Sequence, residues 1–335
     1  RRNVLSMRWF GFGFNAFGQI CVREKLSEEE GDGGAEEVKV FQPTELSGHE
    51  ERGDRCVKTS VIRACWSRRA SLNVDGESYN FCFSTEPPLN LPLVPGGYIS
   101  LKPPFYHSLS PHLKARSLAL GAEHAILLSA AGVVYTWGLG SHGQLGHGVL
   151  TSEEEPRAVE ALWGMPMRFV ATGGWHSVCI SDGGDLYVWG WNESGQLGLP
   201  SRGLSKAKLQ QSSQQAEALN QDTSTSPVEE PQEGEKNEEV FISIQAFPAL
   251  LDVTPSCEIK VVSCGSRHTA AVTTAGELYT WGWGEYGQLG HQNSVSSDEP
   301  QRVEYFREQQ ERVVDVVCGA WNTFAAVINK EVACS

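Results

Sequence analysis

One short pattern recurs in fixed register along this chain, and it excludes most folds. Three segments align without gaps: GAEHAILLSAAGVVYTWGLGSHGQLG from Gly121, GGWHSVCISDGGDLYVWGWNESGQLG from Gly173, and GSRHTAAVTTAGELYTWGWGEYGQLG from Gly265. In each, a histidine stands three residues after the first glycine and a tryptophan thirteen residues after that histidine. Gly-Gln-Leu-Gly then follows at one fixed distance. Every copy reads as short strands. Ala-Ile-Leu-Leu, Ser-Val-Cys-Ile and Thr-Ala-Ala-Val are apolar runs of strand length. Ala131-Gly132, Gly183-Gly184 and Ala275-Gly276 supply hairpin turns. Val-Tyr-Thr-Trp, Leu-Tyr-Val-Trp and Leu-Tyr-Thr-Trp have the aromatic and β-branched bias of strands. Units of roughly 50 residues built of four short strands are propeller blades, and none can bury both faces alone.

Two further copies are weaker. CGAWNTFAAVIN, from Cys318, places Asn322 at the histidine position. ACWSRRASLNVDGESYNF, from Ala64, carries one extra residue and places Ser67 at the histidine position and Phe81 at the tryptophan position. Prolines 104, 156, 248 and 300 precede four of these registers by 20, 20, 20 and 22 residues, and Pro43 precedes the fifth by 24. The chain ends complement one another. The C-terminal copy has no Gly-Gln-Leu-Gly, while the N-terminal FGFGFNAFGQI has only a second half, with Phe12 at the tryptophan position. A linear solenoid has no need to split a repeat; a ring does. The expectation is an all-β propeller over 9–335 with five legible registers, closed by N- and C-terminal halves of one blade. Two acidic stretches interrupt it: a loop over 23–38 and a disordered insertion over 201–239, each a solvated spacer or a tether for a basic partner.

The G-x-x-H, G-x-(V/L)-Y-x-W-G and G-Q-L-G signature resembles the repeat of the regulator of chromosome condensation family. Propellers of that family usually have seven blades, so five registers imply two unreadable blades or strain near 82–103. The leading expectation is a propeller adaptor in chromatin or mitotic regulation; the resemblance implies a nuclear, chromosome-associated protein, with the cytoplasm as a second compartment left open, that holds a JmjC-type oxygenase and affects histone methylation or the oxygenase's own activity. It also keeps open guanine-nucleotide exchange on a small GTPase of the Ran type, and direct binding of histones or nucleosomes.

The residues themselves speak for binding rather than catalysis, and no cofactor, metal or catalytic residue is expected. Gly138-x-Gly140-x-x-Gly143 and Gly282-x-Gly284-x-x-Gly287 match a dinucleotide fingerprint, but no helical period follows them. His124, His176 and His268 lie one per blade, too far apart to converge on one metal; each is expected to bond a neighbouring strand's carbonyl. Trp137, Trp189 and Trp281 hold one repeat position and should be core. Trp175, Trp191, Trp283 and Trp321 fall at blade edges or loops, as inter-blade packing or as rim anchors for a protein partner. Lys114 and Arg116 form a small basic cluster, a solvated turn or a partner-contacting hook. Nine cysteines include no C-x-x-C pair, as in a chain with buried thiols in a reducing compartment. The formal net charge of -14 disfavours nucleic-acid phosphate and suits a basic protein partner. No run of about 18 apolar residues occurs, the first seven residues are too polar for a signal peptide, and a monomer is expected.

Overall fold

A computed structural model describes residues 7–16, 20, 39–46, 59–64, 69–73, 78–81, 93, 96–99, 106–205, 240–253 and 257–328. The chain forms a β-propeller. Among the described residues it comprises four four-stranded antiparallel sheets, one three-stranded sheet and one two-stranded hairpin. The first complete blade contains Ala115–Leu120, His124–Ser129, Val134–Gly138 and Glu153–Ala158. The second contains Met167–Thr172, His176–Ser181, Leu186–Trp191 and Ile244–Leu251. The third contains Ile259–Cys264, His268–Thr273, Leu278–Gly282 and Ser297–Arg302.

The fourth blade is composite. Arg312–Cys318 and Asn322–Ile328, from the C-terminal part, pair with Met7–Phe14 and Lys39–Glu45. The splice lies between Met7–Phe14 and Asn322–Ile328, whose register runs from Met7 opposite Ile328 to Gly13 opposite Asn322. The weak copy from Ala64 has three strands among the described residues: Thr59–Ala64, Arg69–Asn73 and Ser78–Phe81. A hairpin of Gly97–Ile99 and Tyr106–Ser108 follows. Most of 82–103, where strain was expected, lies outside the described residues, as does the loop at 23–38.

Blade stacking explains the continuous apolar runs. All six residues of each histidine strand in the three complete blades are buried, because sheets cover both faces. Ile126, Leu128 and Val134 pack against Met167, Val170 and Trp189 of the next blade. Val178, Ile180 and Val188 meet Val262, Ala271 and Trp281. Ala270, Val272 and Leu278 meet Phe10, Phe12 and Val316. The prolines find their reason here too: Pro43, Pro156, Pro248 and Pro300 all lie in fourth strands, at sheet edges where a missing N–H costs little.

The acidic insertion leaves the second blade later than its composition suggests. Residues 206–239 lie outside the described residues, but Ser201 is buried. Its amide donates to Asp298 Oδ2 at 2.8 Å and its hydroxyl to the Glu193 carbonyl at 2.8 Å. Ile242 N–H then bonds the Pro200 carbonyl at 2.8 Å, so the insertion starts and ends on one anchored stem. Among the described residues no helix is long and apolar enough to cross a membrane.

Trp189 is fully buried and its indole N–H is hydrogen-bonded. Trp189→Ala is expected to lower unfolding free energy by about 3–5 kcal/mol, read by chemical denaturation. A loss under about 1 kcal/mol would mean that the blade interface does not depend on this ring.

Candidate protein-binding face

A repeated polar clamp fixes each blade against the next and thereby positions the loops above it. His124 Nε2 meets Ser177 Oγ at 2.9 Å, His176 Nε2 meets Thr269 Oγ1 at 3.0 Å, and His268 Nε2 meets Thr323 Oγ1 at 3.0 Å. Every hydroxyl belongs to the following blade. Each then donates its single proton back across the junction to a Gly-Gln-Leu-Gly carbonyl: Ser177 to Gln144 at 2.8 Å, Thr269 to Gln196 at 2.7 Å, Thr323 to Gln288 at 2.8 Å. The imidazole must therefore be the donor, with its proton on Nε2. These histidines were expected to bond a neighbouring strand's carbonyl; His124 does meet the His176 backbone and His268 the Asn322 backbone, and at all three junctions a hydroxyl of the next blade stands at Nε2 as well. Trp189 Nε1 also donates to Gln144 O at 2.9 Å, and Trp281 Nε1 to Gln196 O at 3.0 Å.

The invariant spacing follows from this geometry. A Cβ on Gly173 would lie 2.0 Å from the His176 ring, so only glycine lets the imidazole fold back over its own loop. The glycine after the tryptophan sits at φ near +107, and a Cβ on Gly138 would lie 2.5 Å from the Glu123 carbonyl. The glycines of the dinucleotide-like pattern close successive turns, Gly143 N–H to Gly140 O at 2.9 Å and Gly146 N–H to Gly143 O at 3.1 Å, and open no helix. The glutamine side chain caps the same turn: Gln144 Oε1 accepts from His142 N–H at 2.8 Å.

Above this clamp the four rim tryptophans meet in pairs. Trp175 and Trp191 pack edge to face with centroids 5.6 Å apart, and His142 lies 5.5 Å from Trp191. Trp283 and Trp321 pack at 4.7 Å, and Tyr286 stands edge-on to Trp283 at 4.9 Å. Trp175 aligns with Trp321 and Trp191 with Trp283 in the repeat, but the first pair lies within the second blade while the second pair joins the third blade to the composite one. Arg267 connects the groups: its guanidinium lies 4.7 Å over the Trp191 ring and its carbonyl accepts from Trp283 N–H at 2.8 Å, while Trp175 Nε1 donates to Glu123 Oε2 at 3.3 Å. All four indoles are half-buried, so they pack together while keeping part of their surface in solvent. Among the described residues the most exposed tryptophan is one the sequence reading passed over, Trp163, at 65%.

Lys114 and Arg116 are exposed but stand elsewhere. Lys114 takes a left-handed conformation after the single 3-10 turn Pro111–Leu113, and Arg116 falls in the β-bulge between Ala115 and Ser117. Ala115 pairs with Ser129 and Leu120 with Ala125, so this pair lies at the strand end opposite Glu123 and the tryptophans. The six candidate contact residues therefore form two separate groups. Among the described residues no three histidine, cysteine or acidic side chains come together as a metal site. Burial pushes the Cys318 thiol up to about 12, and those of Cys179 and Cys264 upward as well, which keeps them unreactive at neutral pH.

Burial holds the clamp histidines neutral: His124 falls to about 4, and His176 and His268 to about 3. The unfolded chain takes up these protons near the ordinary value of about 6.5. Stability is thus complete above that pH and declines as pH falls from about 6.5 toward 4. His176→Asn, the replacement the composite blade already carries as Asn322, should flatten that decline by up to about 1.4 kcal/mol per pH unit. Thermal unfolding across that range measures it; an unchanged slope would mean that His176 is charged in the fold.

The chain matches the regulator of chromosome condensation (RCC1) repeat at 131–180, 183–221 and 275–326. A second description of the same repeat matches 115–144, 168–196 and 259–288, and together the two span just over half of the chain. RCC1 domain-containing protein 1 of Homo sapiens is 54% identical over 243 residues, 72% of this chain and 64% of that protein. The match thus spans less than two thirds of this relative's length. Among solved structures, human WBSCR16 is similar with TM-score 0.52 and 17% identity over 96% of this chain and 98% of that one. Prp20p of Saccharomyces cerevisiae, described with its binding to Gsp1p and histones, is similar with TM-score 0.52 and 17% identity over 87% of this chain and 59% of that one.

Proposed function

This chain belongs to the regulator of chromosome condensation repeat family, and from that membership we propose that it is a non-enzymatic propeller adaptor that binds a protein partner in chromatin or mitotic regulation. The observation that carries the proposal is the aromatic rim. Two tryptophan pairs, connected through Arg267, run across consecutive blades on one face. Large rings held by a rigid scaffold lose little entropy on binding, which is why tryptophan and arginine dominate binding hot spots. The clamp below uses its histidines, hydroxyls and glutamine carbonyls on one another and turns none of them to a substrate.

The partner class follows from the family resemblance: a JmjC-type oxygenase, with the adaptor acting on histone methylation or on the oxygenase's own turnover. The nucleus is the compartment that goes with it. The two competing partners for the test are a Ran-type GTPase, which the family resemblance keeps open, and histones, which Prp20p is described as binding.

The chain is immobilised and incubated with nuclear extract, and oxygenase, GTPase and core histones are probed at one salt concentration. Recovery of the oxygenase in stoichiometric amount without the GTPase is expected, and Trp191→Leu with Trp283→Leu should reduce it by about tenfold or more. Recovery of nucleotide-free GTPase instead would contradict the adaptor reading and support exchange.

A further inference from the structure

We propose that the aromatic rim is a track for an extended, lysine- and arginine-bearing segment of the partner. This deepens the adaptor reading and rests on it. Three observations lead there.

First, each aromatic group already holds a cation belonging to the chain itself. The Arg267 guanidinium lies 4.7 Å over Trp191, and the Lys39 ammonium lies 5.4 Å over Tyr286. The two cations come from unrelated places: Arg267 precedes the third-blade histidine, while Lys39 lies in the last strand of the composite blade. Trp191 and Tyr286 hold different repeat positions, yet each ring face has attracted a cation from its own surroundings. An indole or phenol face attracts a cation through its quadrupole, at roughly 0.5–2 kcal/mol per ring depending on exposure.

Second, exposed carboxylates recur along the rim. Glu123 precedes the first-blade histidine and bonds Trp175 at 3.3 Å. Glu193 and Glu285 share one position, two residues before the glycine of Gly-Gln-Leu-Gly, and both are exposed. Glu123 bonds the first aromatic group, and Glu285 directly precedes Tyr286 of the second, so acidic residues accompany both groups.

Third, the charge of the whole chain, -14, attracts the same ligand from a distance and repels its opposite. Stacked rings alone would also suit single-stranded nucleic acid. Phosphates running past Glu123, Glu193 and Glu285 would meet repulsion at every step, so a basic peptide is favoured.

The resident cations make the test specific. A fluorescein-labelled peptide of Gly-Arg-Gly-Lys repeats is titrated against the full chain by fluorescence anisotropy, beside a Gly-Glu peptide and a thymidine oligonucleotide. Saturable binding of the basic peptide alone is expected, weakening as salt rises. Trp191→Leu and Trp283→Leu should each weaken it several-fold, and Glu123→Gln with Glu193→Gln and Glu285→Gln should weaken it and flatten its salt dependence. Arg267→Gln frees the face of Trp191 and should tighten binding several-fold, an effect that a purely structural stack would not give. Unfolding midpoints of all variants are measured, so that loss of binding is read only from folded protein.

Binding that responds to the carboxylates but not to the tryptophans, binding of the oligonucleotide at equal strength, or no saturable binding at all would each overturn the track. The adaptor reading is scored separately by oxygenase capture. Capture that survives while peptide binding fails removes the track alone; peptide binding without capture removes the adaptor reading and leaves the track.

Discussion

A neutral imidazole bonded to a hydroxyl of the next blade is the interaction on which the rest of the molecule depends. It solves a problem special to stacked sheets. Blade faces meet through apolar side chains, and apolar contact has no direction of its own. The clamp supplies direction: His176, for example, can reach Thr269 only at one offset between its blade and the next. The hydroxyl then returns its proton to the glutamine carbonyl, so ring Nε2, hydroxyl and carbonyl form one chain of bonds in a dry interior, where a lost partner is costly. The glycine three residues before the histidine and the N–H groups of Trp189 and Trp281 serve that single joint.

The clamp also shows where the repeat degenerates. Ala125 stands at the hydroxyl position of the first complete blade, so nothing there can receive an imidazole from the blade before it. The preceding copy has Ser67 in place of the histidine and no Gly-Gln-Leu-Gly, so donor, relay and acceptor are missing together. A different contact fills the space: Trp137 Nε1 donates to the Tyr98 hydroxyl at 3.1 Å, and Tyr98 stacks on His107 at 4.8 Å. On the far side, Phe12 takes the tryptophan position of the composite blade without an N–H to give, and Thr323 alone satisfies Gln288. The chain keeps a full clamp where both blades conform and substitutes aromatic packing where they do not.

Much of this was readable from residues alone. The strand runs, the hairpin glycines and the split repeat at the two ends all follow from spacing, because a four-strand blade constrains the period tightly. The hydroxyl column was equally visible, as the residue after the histidine position reads Ala, Ser, Thr, Thr through the four registers, but an isolated serine or threonine carries no signal until its neighbour blade is in place. The rim was harder. Pattern gives the positions of Trp175, Trp191, Trp283 and Trp321 but not that they meet in pairs, since Trp321 reaches Trp283 across a blade boundary. Pattern likewise cannot tell which end of a strand faces which loops, so Lys114 and Arg116 could not be separated from the tryptophans before the register of Ala115–Leu120 was known. Composition overextended the acidic insertion to Ser201 because a buried serine and a solvated one are the same letter.

The most direct measurement is the tautomer and charge of the clamp histidines. Long-range nitrogen–proton correlation spectra of histidine-labelled protein at pH 5, assigned through Ser177→Ala, Thr269→Ala and Thr323→Ala, distinguish Nε2–H imidazole from imidazolium. The clamp predicts that His124, His176 and His268 remain neutral with the proton on Nε2, and that each hydroxyl replacement perturbs only the histidine of the preceding blade. Imidazolium signals for these three residues at pH 5, or the proton on Nδ1, would contradict it.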